Sequence, residues 1–285
     1  HGTPMPASAK ARDETPPDRL LTQADPERVL WADPTARERV EPLLRTGGGE
    51  WERVKRNDSR TVWRSRPGPG CFYLKHFHSR APIHRIRRRV SSDAVRELRH
   101  SEYLSAHGVP VPRILAAYRR GDKEWLISEG IEPAEPADRW HDRRVLEGDD
   151  AAIRAATVAL AELIGRMHRA GVLHHDLHCG NVLVRGGRGD DLVLMDLHRM
   201  SRRRRLSRHD RAANLAQLFS DRRLWTTRSQ RLRFLRRYLR ASGAEGTVRG
   251  WVRMVQPLAM RHDRRLNAKR ERRIFGNNRY FARLN

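Results

Sequence analysis

Only two cysteines, Cys71 and Cys179, occur in the 285 residues. Two thiols cannot supply a disulfide framework, so the fold must rest on a hydrophobic core, and a reducing cytosol is the expected setting. No run of 18 apolar residues occurs, which excludes a membrane-spanning helix. A charged-then-apolar leader is also missing, so nothing in the chain argues for secretion. Acidic residues are scarce: 34 Asp and Glu face 59 Lys and Arg, for a net charge of +25. A surface that basic attracts polyanions, whether nucleic acid, anionic lipid headgroups or a phosphorylated substrate, and charge alone does not choose among them. The absence of any RRM, KH, zinc-finger or helix-turn-helix signature argues against nucleic acid.

What is present divides into a strand-rich first half and a helical second half. Residues 20–48 are helical in patches and end at Gly47-Gly48-Gly49. WERVKRNDSRTVWRS (51–65) reads as a hairpin with a polar turn, and CFYLKHF (71–77) as a third strand with one charge, Lys75, near its middle. SSDAVRELRHSEYLSAHG (91–108) reads as a helix capped by Ser91 or Ser92 and closed by Gly108. Two more strands are expected over 109–120 and 123–131, then an acidic, proline-bearing linker at 132–138. Leu160, Leu163, Ile164 and Met167 mark one face of a helix over 151–170. Further helices are expected near 207–221, 227–241 and 247–268. The fold class is α+β, with a small β-rich lobe (49–131), a larger α-helical lobe (132–285) and a partly disordered extension (1–48).

The chemistry concentrates in HHDLHCGN, 174–181. As a metal site it would use His174, His175, His178 and Cys179, but zinc needs a second ligand pair at recognisable spacing, and only Cys71 remains. As a phosphoryl-transfer loop it fits its surroundings. Asp176 and Asn181 are five residues apart, as in the HRDLxxxxN pattern, where the Asp orients the attacking hydroxyl and the Asn binds a metal ion. The strand NVLV follows, then a glycine-rich turn, then DLVLMD. That second strand ends in Asp196, where a kinase keeps its metal-binding Asp. Upstream, Lys75 in a strand and Glu97 in the next helix match the lysine–glutamate pair that holds ATP phosphates, with Glu102 as the rival for the helix role.

RELRHSEYLSAHGVPVPRIL, GVLHHDLHCGNVLV, LVLMDLHRM and HDRAANLAQLF together resemble the bacterial lipopolysaccharide kinase family, the Kdo/heptose kinases and their InaA-like relatives. The resemblance covers about residues 50–222 and implies a two-lobe, protein-kinase-like fold. It also implies ATP- and Mg²⁺-dependent phosphorylation of a heptose or Kdo hydroxyl in the lipopolysaccharide inner core, at the cytoplasmic face of the inner membrane. By the same resemblance, Asp176 is the catalytic base or orienting group, Asn181 and Asp196 hold Mg²⁺, and Lys75 and Glu97 position ATP. The backbone of the hinge, Ser128 to Ile131, with Glu129 and Ile131, meets adenine. The acceptor is a lipopolysaccharide core or lipid A precursor.

The departures from a protein kinase are informative. KRNDSRTV carries no glycine, so no GxGxxG loop covers the phosphates. That departure leaves a pseudokinase, or a nucleic-acid-binding scaffold, as an alternative. Leu197 and His198 follow Asp196, and no APE sequence is found. Only about ten residues lead to the next helix, which Ser207 and Asp210 can open as a capping box. That is too short for an activation segment that binds a peptide, so a small or lipid-linked acceptor is expected, with an aminoglycoside-like substrate as the alternative. His174 is expected to support the loop by packing, and Cys179 to fill space. Basic clusters at 84–89, 202–205 and 261–273 would hold the enzyme at an anionic inner leaflet, each residue contributing about 1 kcal/mol. The helix 227–241, with Leu232, Leu235 and Leu239 on one face, suits either the membrane interface or ordinary core packing.

Overall fold

The computed structural model describes residues 29–46, 51–56, 60–65, 70–78, 92–120, 123–221 and 226–274. It divides the chain into two compact units, residues 1–99 with 113–130, and residues 100–112 with 131–285. The polar turn at 57–59, most of the turn at 67–70 and the basic cluster at 84–89 lie outside the described residues.

The first unit is a six-stranded antiparallel sheet built from β1 (Val29–Trp31), β2 (Trp51–Arg56), β3 (Arg60–Ser65), β4 (Phe72–Phe77), β5 (Ile114–Arg120) and β6 (Lys123–Glu129). Their order across the sheet is β1-β5-β6-β4-β3-β2. Strand alternation sorts its residues onto two faces. Leu74, Trp125 and Ile127 pack with Leu115 and Tyr118 against Ala36 and Val40 of helix α1 (Pro34–Thr46). The intervening residues Leu126, Phe77 and Ala117 turn the other way, onto Ala94 and Leu98 of helix α2 (Asp93–Ala106).

Residues 29–46, read from the sequence as part of an extension, thus belong to this sheet unit: β1 pairs with β5, and α1 covers one face. Three residues of strand are too few to show periodicity. Helix α1 opens on Asp33, whose Oδ1 accepts the Ala36 amide at 2.6 Å. Hydrogen bonds from the Thr35 hydroxyl and the Ala36 amide, with Arg113 beside them, lower the Asp33 carboxyl to about 2.

Helix α2 starts at Asp93, and Ser92, one of the two expected caps, accepts the Val95 amide on Oγ at 3.2 Å. A second acceptor comes from the sheet. Glu124, fully buried, receives the Asp93 amide at 2.8 Å and the Ala94 amide at 3.3 Å. Gly108, at φ +67°, closes the helix, and the Val109 amide returns to the Leu104 carbonyl. The strand expected over 109–120 starts only at Ile114. Pro110 and Pro112 have no amide to give a ladder, and their carbonyls serve the second unit instead, accepting from Leu194 N and Ser101 Oγ.

The second unit is mainly helical. In chain order it holds β7 (Ala134–Pro136), α3 (Ala137–Glu147), α4 (Asp150–Arg169), β8 (Val172–His174), β9 (Val182–Arg185), β10 (Leu192–Leu194), β11 (Met200–Arg202), α5 (Arg208–Asp221), α6 (Arg228–Ser242) and α7 (Val248–Ile274). Two small sheets, β10-β9-β7 and β11-β8, frame the loop that begins at His175. The linker expected over 132–138 holds β7 and the first two residues of α3, and the rest of α3 lies where no element was expected; Trp140 is its one buried residue, too little to reveal a helical period. The Ser207–Asp210 capping box forms as read: Asp210 N reaches Ser207 Oγ at 3.0 Å and Ser207 N reaches Asp210 Oδ2 at 3.2 Å.

Replacing Glu124 by Ala should lower unfolding free energy by about 1–2 kcal/mol, the usual cost of a lost N-cap, whereas Glu124→Gln keeps an acceptor and costs less. Urea denaturation of the three proteins measures the difference.

Candidate active site

Alternation along β4 decides where Lys75 goes. It pairs across the sheet with Leu126, so it shares the face that packs on α2, whereas Leu74 pairs with Ile127 on the opposite face. On α2, Glu97 lies three residues after Ala94 and next to Leu98, which turns it toward the sheet. The two side chains meet: Lys75 Nζ to Glu97 Oε1 is 2.6 Å, with side-chain exposures of 13% and 3%. Glu102, the rival, is exposed.

The hinge residues are placed less simply. Glu129 donates its amide to Arg113 O at 2.9 Å, and Arg113 and Arg39 engage its carboxylate. Gly130 donates to Cys71 O at 2.7 Å, and a Cβ there would lie 2.0 Å from Cys71 Sγ, so only glycine fits. Ile131 begins the next stretch of the second unit.

The loop after β8 is organised by one imidazole. His174 is fully buried; its Nε2 donates to Met195 O at 2.9 Å and its Nδ1 accepts the Asp176 amide at 3.1 Å. One ring therefore holds the backbone of Asp176 and that of the residue before Asp196. Asn181 adds two ties. Its Nδ2 donates to Asp176 O at 2.8 Å, and its carbonyl accepts the Met195 amide at 2.8 Å. Asp196 itself is buried at φ 60°, ψ 45°, and among the described residues no other non-glycine residue has positive φ. Such a conformation costs on the order of 1 kcal/mol or more and persists only where the surroundings impose it.

Asp176, Asn181 and Asp196 are thus held in a single framework. The other two histidines of the loop point elsewhere: His175 Nε2 contacts Ser201 Oγ at 2.8 Å, and His178 Nδ1 accepts the Gly180 amide at 3.1 Å. With the three rings committed to three different partners, the histidines do not converge as a zinc site requires. The Asp176 carboxylate has two side-chain nitrogens beside it, His178 Nε2 at 3.9 Å and Nη1 of the Arg199 guanidinium at 4.0 Å. Asn181 and Asp196 offer hard oxygen donors, of the kind magnesium takes one or two of while phosphate and water complete its shell.

Sequence reasoning missed the layer beneath. Asn214 of α5 donates Nδ2 to His174 O at 2.6 Å, and its Oδ1 accepts the His174 amide at 3.2 Å. The same Oδ1 accepts from His168 Nε2 at 3.0 Å, and Tyr238 donates its hydroxyl to His168 Nδ1 at 2.8 Å. Gln217 accepts from Leu177 N and from Asn214 Nδ2. The available signal was a polar residue on an apolar helix face, Asn214 between Ala212, Leu215 and Ala216. Arg199 was also missed; its amide donates to Asp196 O and its carbonyl accepts from His175 N.

Burial lowers the His168 ring to about 4, and His174 shifts in the same direction for the same reason. Both rings are neutral in the network.

A strand lysine paired to a helix glutamate, then an Asp–Asn loop, then a strand-end aspartate, is the arrangement of a protein-kinase-like fold. Residues 49–238 match the Lipopolysaccharide kinase (Kdo/WaaP) family, and the chain belongs to that family. The lipopolysaccharide core heptose(I) kinase WaaP of Pseudomonas aeruginosa is 40% identical over 93 residues, 30% of this chain and 35% of that protein. The EKC/KEOPS complex subunit BUD32 of Coccidioides immitis is 27% identical over 141 residues, 39% of this chain and 49% of that protein. The matches therefore span between a third and a half of these curated relatives. Among solved structures, WaaP in complex with acyl carrier protein aligns with a TM-score of 0.62 at 21% identity, covering 85% of this chain and 98% of that one. An aminoglycoside-3'-phosphotransferase of type VIII aligns with a TM-score of 0.52 at 18% identity, covering 78% and 99%. Both are likenesses of fold.

The neutral histidines give a pH prediction. The unfolded chain takes up a proton on each ring as pH falls below about 6.5, and the folded chain does not until about 4 for His168. Stability is complete above about pH 6.5 and falls as pH drops toward 4, by on the order of 3 kcal/mol for His168. Denaturant midpoints at pH 7 and pH 5 should show this slope, reduced in His168→Gln.

Proposed function

We propose that the chain transfers the γ-phosphoryl group of ATP to a sugar hydroxyl, heptose or Kdo, of a lipopolysaccharide core or lipid A precursor. It does so at the cytoplasmic face of the inner membrane, held at that anionic surface peripherally. The observation that carries the reading is the His174 staple, which binds the Asp176 loop to the Met195–Asp196 strand end. Family membership and the absence of a peptide-length segment between Asp196 and α5 support a non-protein acceptor.

In this reaction the acceptor oxygen attacks the γ-phosphorus, the bond to the β-phosphate oxygen breaks, ADP leaves, and the hydroxyl proton passes to Asp176. Lys75, held by Glu97, positions the α- and β-phosphates. The hinge backbone at Glu129 and Ile131 receives adenine. Asn181 and Asp196 supply the oxygens for Mg²⁺, which when bound offsets the phosphate charge. His178 and Arg199 flank Asp176 where an anionic acceptor or the transferring phosphoryl group arrives.

Purified protein is incubated with ATP, Mg²⁺ and lipopolysaccharide acceptors, with and without acyl carrier protein, the partner in the solved relative, and the product is read by mass. Acceptor-dependent gain of one phosphate is expected, falling about a thousandfold in Asp176→Ala. Nucleotide binding without transfer would reject these acceptors and favour another small hydroxylated substrate. Failure to bind nucleotide would mark a pseudokinase. Lys75→Met should raise KM for ATP by about tenfold or more while the fold, followed by circular dichroism, is unchanged.

A further inference from the structure

Helix α7 outlasts the core it packs on. Its last buried position among the described residues is Ala259, and from Met260 to Arg272 the exposed positions include Arg261, Arg264, Arg265, Lys269, Arg270 and Arg272. This stretch is about 20 Å long. It holds two acidic residues, Asp263 and Glu271. Arg261 and Arg265, and Arg265 and Lys269, stand four residues apart, where like charges repel on a helix. An anionic neighbour relieves that repulsion.

At the root of this stretch lies an apolar groove between α6 and α7. Leu232, Leu235, Val255 and Met260 are among the apolar side chains that line it, together with Arg228, Arg231 and Gln256. Two of these side chains are open to solvent, Leu232 at 38% and Met260 at 41%. Helix α6 itself was a candidate for the membrane interface on its leucine stripe. The structure favours the other reading, ordinary core packing: Leu235 is buried with Phe234 and Tyr238, Leu239 packs against them, and Leu232 of the stripe is left outside.

We propose that the outer half of α7, with Leu232 and Met260 at its base, is a docking surface for a bilayer of anionic phospholipid. A row of arginines alone would serve any phosphate, but here the cations border exposed aliphatic and thioether side chains. Those side chains suit the acyl boundary beneath headgroups. They are not the flat stacking surfaces that single-stranded nucleic acid requires. The surface gives the lipid-linked acceptor a reason to be met at the membrane, a role that rests on the proposed reaction, while binding itself is tested apart from transfer.

The test is sedimentation of the full chain with vesicles of phosphatidylcholine alone or containing phosphatidylglycerol. The wild type should sediment only with the anionic vesicles, and release in high salt should follow. Combining Arg261→Gln, Arg264→Gln, Arg265→Gln and Arg270→Gln should weaken partitioning by at least about a hundredfold. Leu232→Ser with Met260→Ser should weaken it by about tenfold or more while retention on heparin is unchanged. Thermal melts followed by circular dichroism confirm that the variants fold, and the salt series on the wild type needs no variant. Equal partitioning into neutral vesicles, or wild-type binding by the quadruple arginine variant, would overturn the proposal. So would RNA binding through these arginines without vesicle binding. Phosphate transfer to a water-soluble acceptor is measured in parallel. Its loss in the wild type bears on the proposed activity and leaves the vesicle result standing.

Discussion

The buried contact between Asn214 and His174 is the constraint on which the loop depends. A side-chain amide satisfies both main-chain groups of His174, and the imidazole then satisfies main-chain groups of Asp176 and Met195. The contacts between Asn214 and His174 are buried and those of the ring to Asp176 and Met195 part-buried, so a missing partner at the buried end would cost about 1–3 kcal/mol. The same burial keeps the rings neutral, which is what allows Nδ1 of His174 to accept while Nε2 donates. Rigidity at Asp176 and the left-handed turn at Asp196 are two results of one network. The strain at Asp196 is sustained because Met195 is held through both its amide and its carbonyl.

The first unit applies a different constraint to the same end. There the period-two alternation of β4 places Lys75 and Leu74 on opposite faces, and the buried Glu97 draws the ammonium to a fixed point on α2. Glu124 ties the start of that helix to the neighbouring strand, so the position of Glu97 is referred back to the sheet. Removing a buried partner of this kind costs more than the pair adds, so positional definition is the better account of its presence.

The charge of the chain is spread over parts with different duties. Arg185 clamps Asp191 across the glycine-rich turn, Arg203 meets Asp210 at the cap of α5, and Arg113 holds Asp33 and Glu129. These arginines, though partly exposed, are paired with carboxylates of the same fold. Those of the outer half of α7 face solvent, where an excess of one sign is felt as repulsion until a polyanion arrives.

Much of this was legible in the residues alone. HHDLHCGN followed by two apolar strands and Asp196 announces the loop, because backbone spacing is local and the residue types are few. Lys75 stands out as the one charge near the middle of its strand and Glu97 as one of two candidate glutamates in the next helix, and Ser207 with Asp210 follow from capping chemistry. Asn214, His168, Tyr238 and Arg199 were not legible. Their partners are distant in sequence, and an asparagine or a tyrosine in a helix has no periodic mark of what it will touch. Helix α3 was hidden because one buried tryptophan makes no pattern, and β1 because it is three residues long. By itself, then, the sequence determined the local elements and the order of the chemical groups. Tertiary structure decided which buried amide pins the loop, which glutamate meets Lys75, and which leucine of α6 is left at the surface, because those outcomes depend on what is packed beside each side chain.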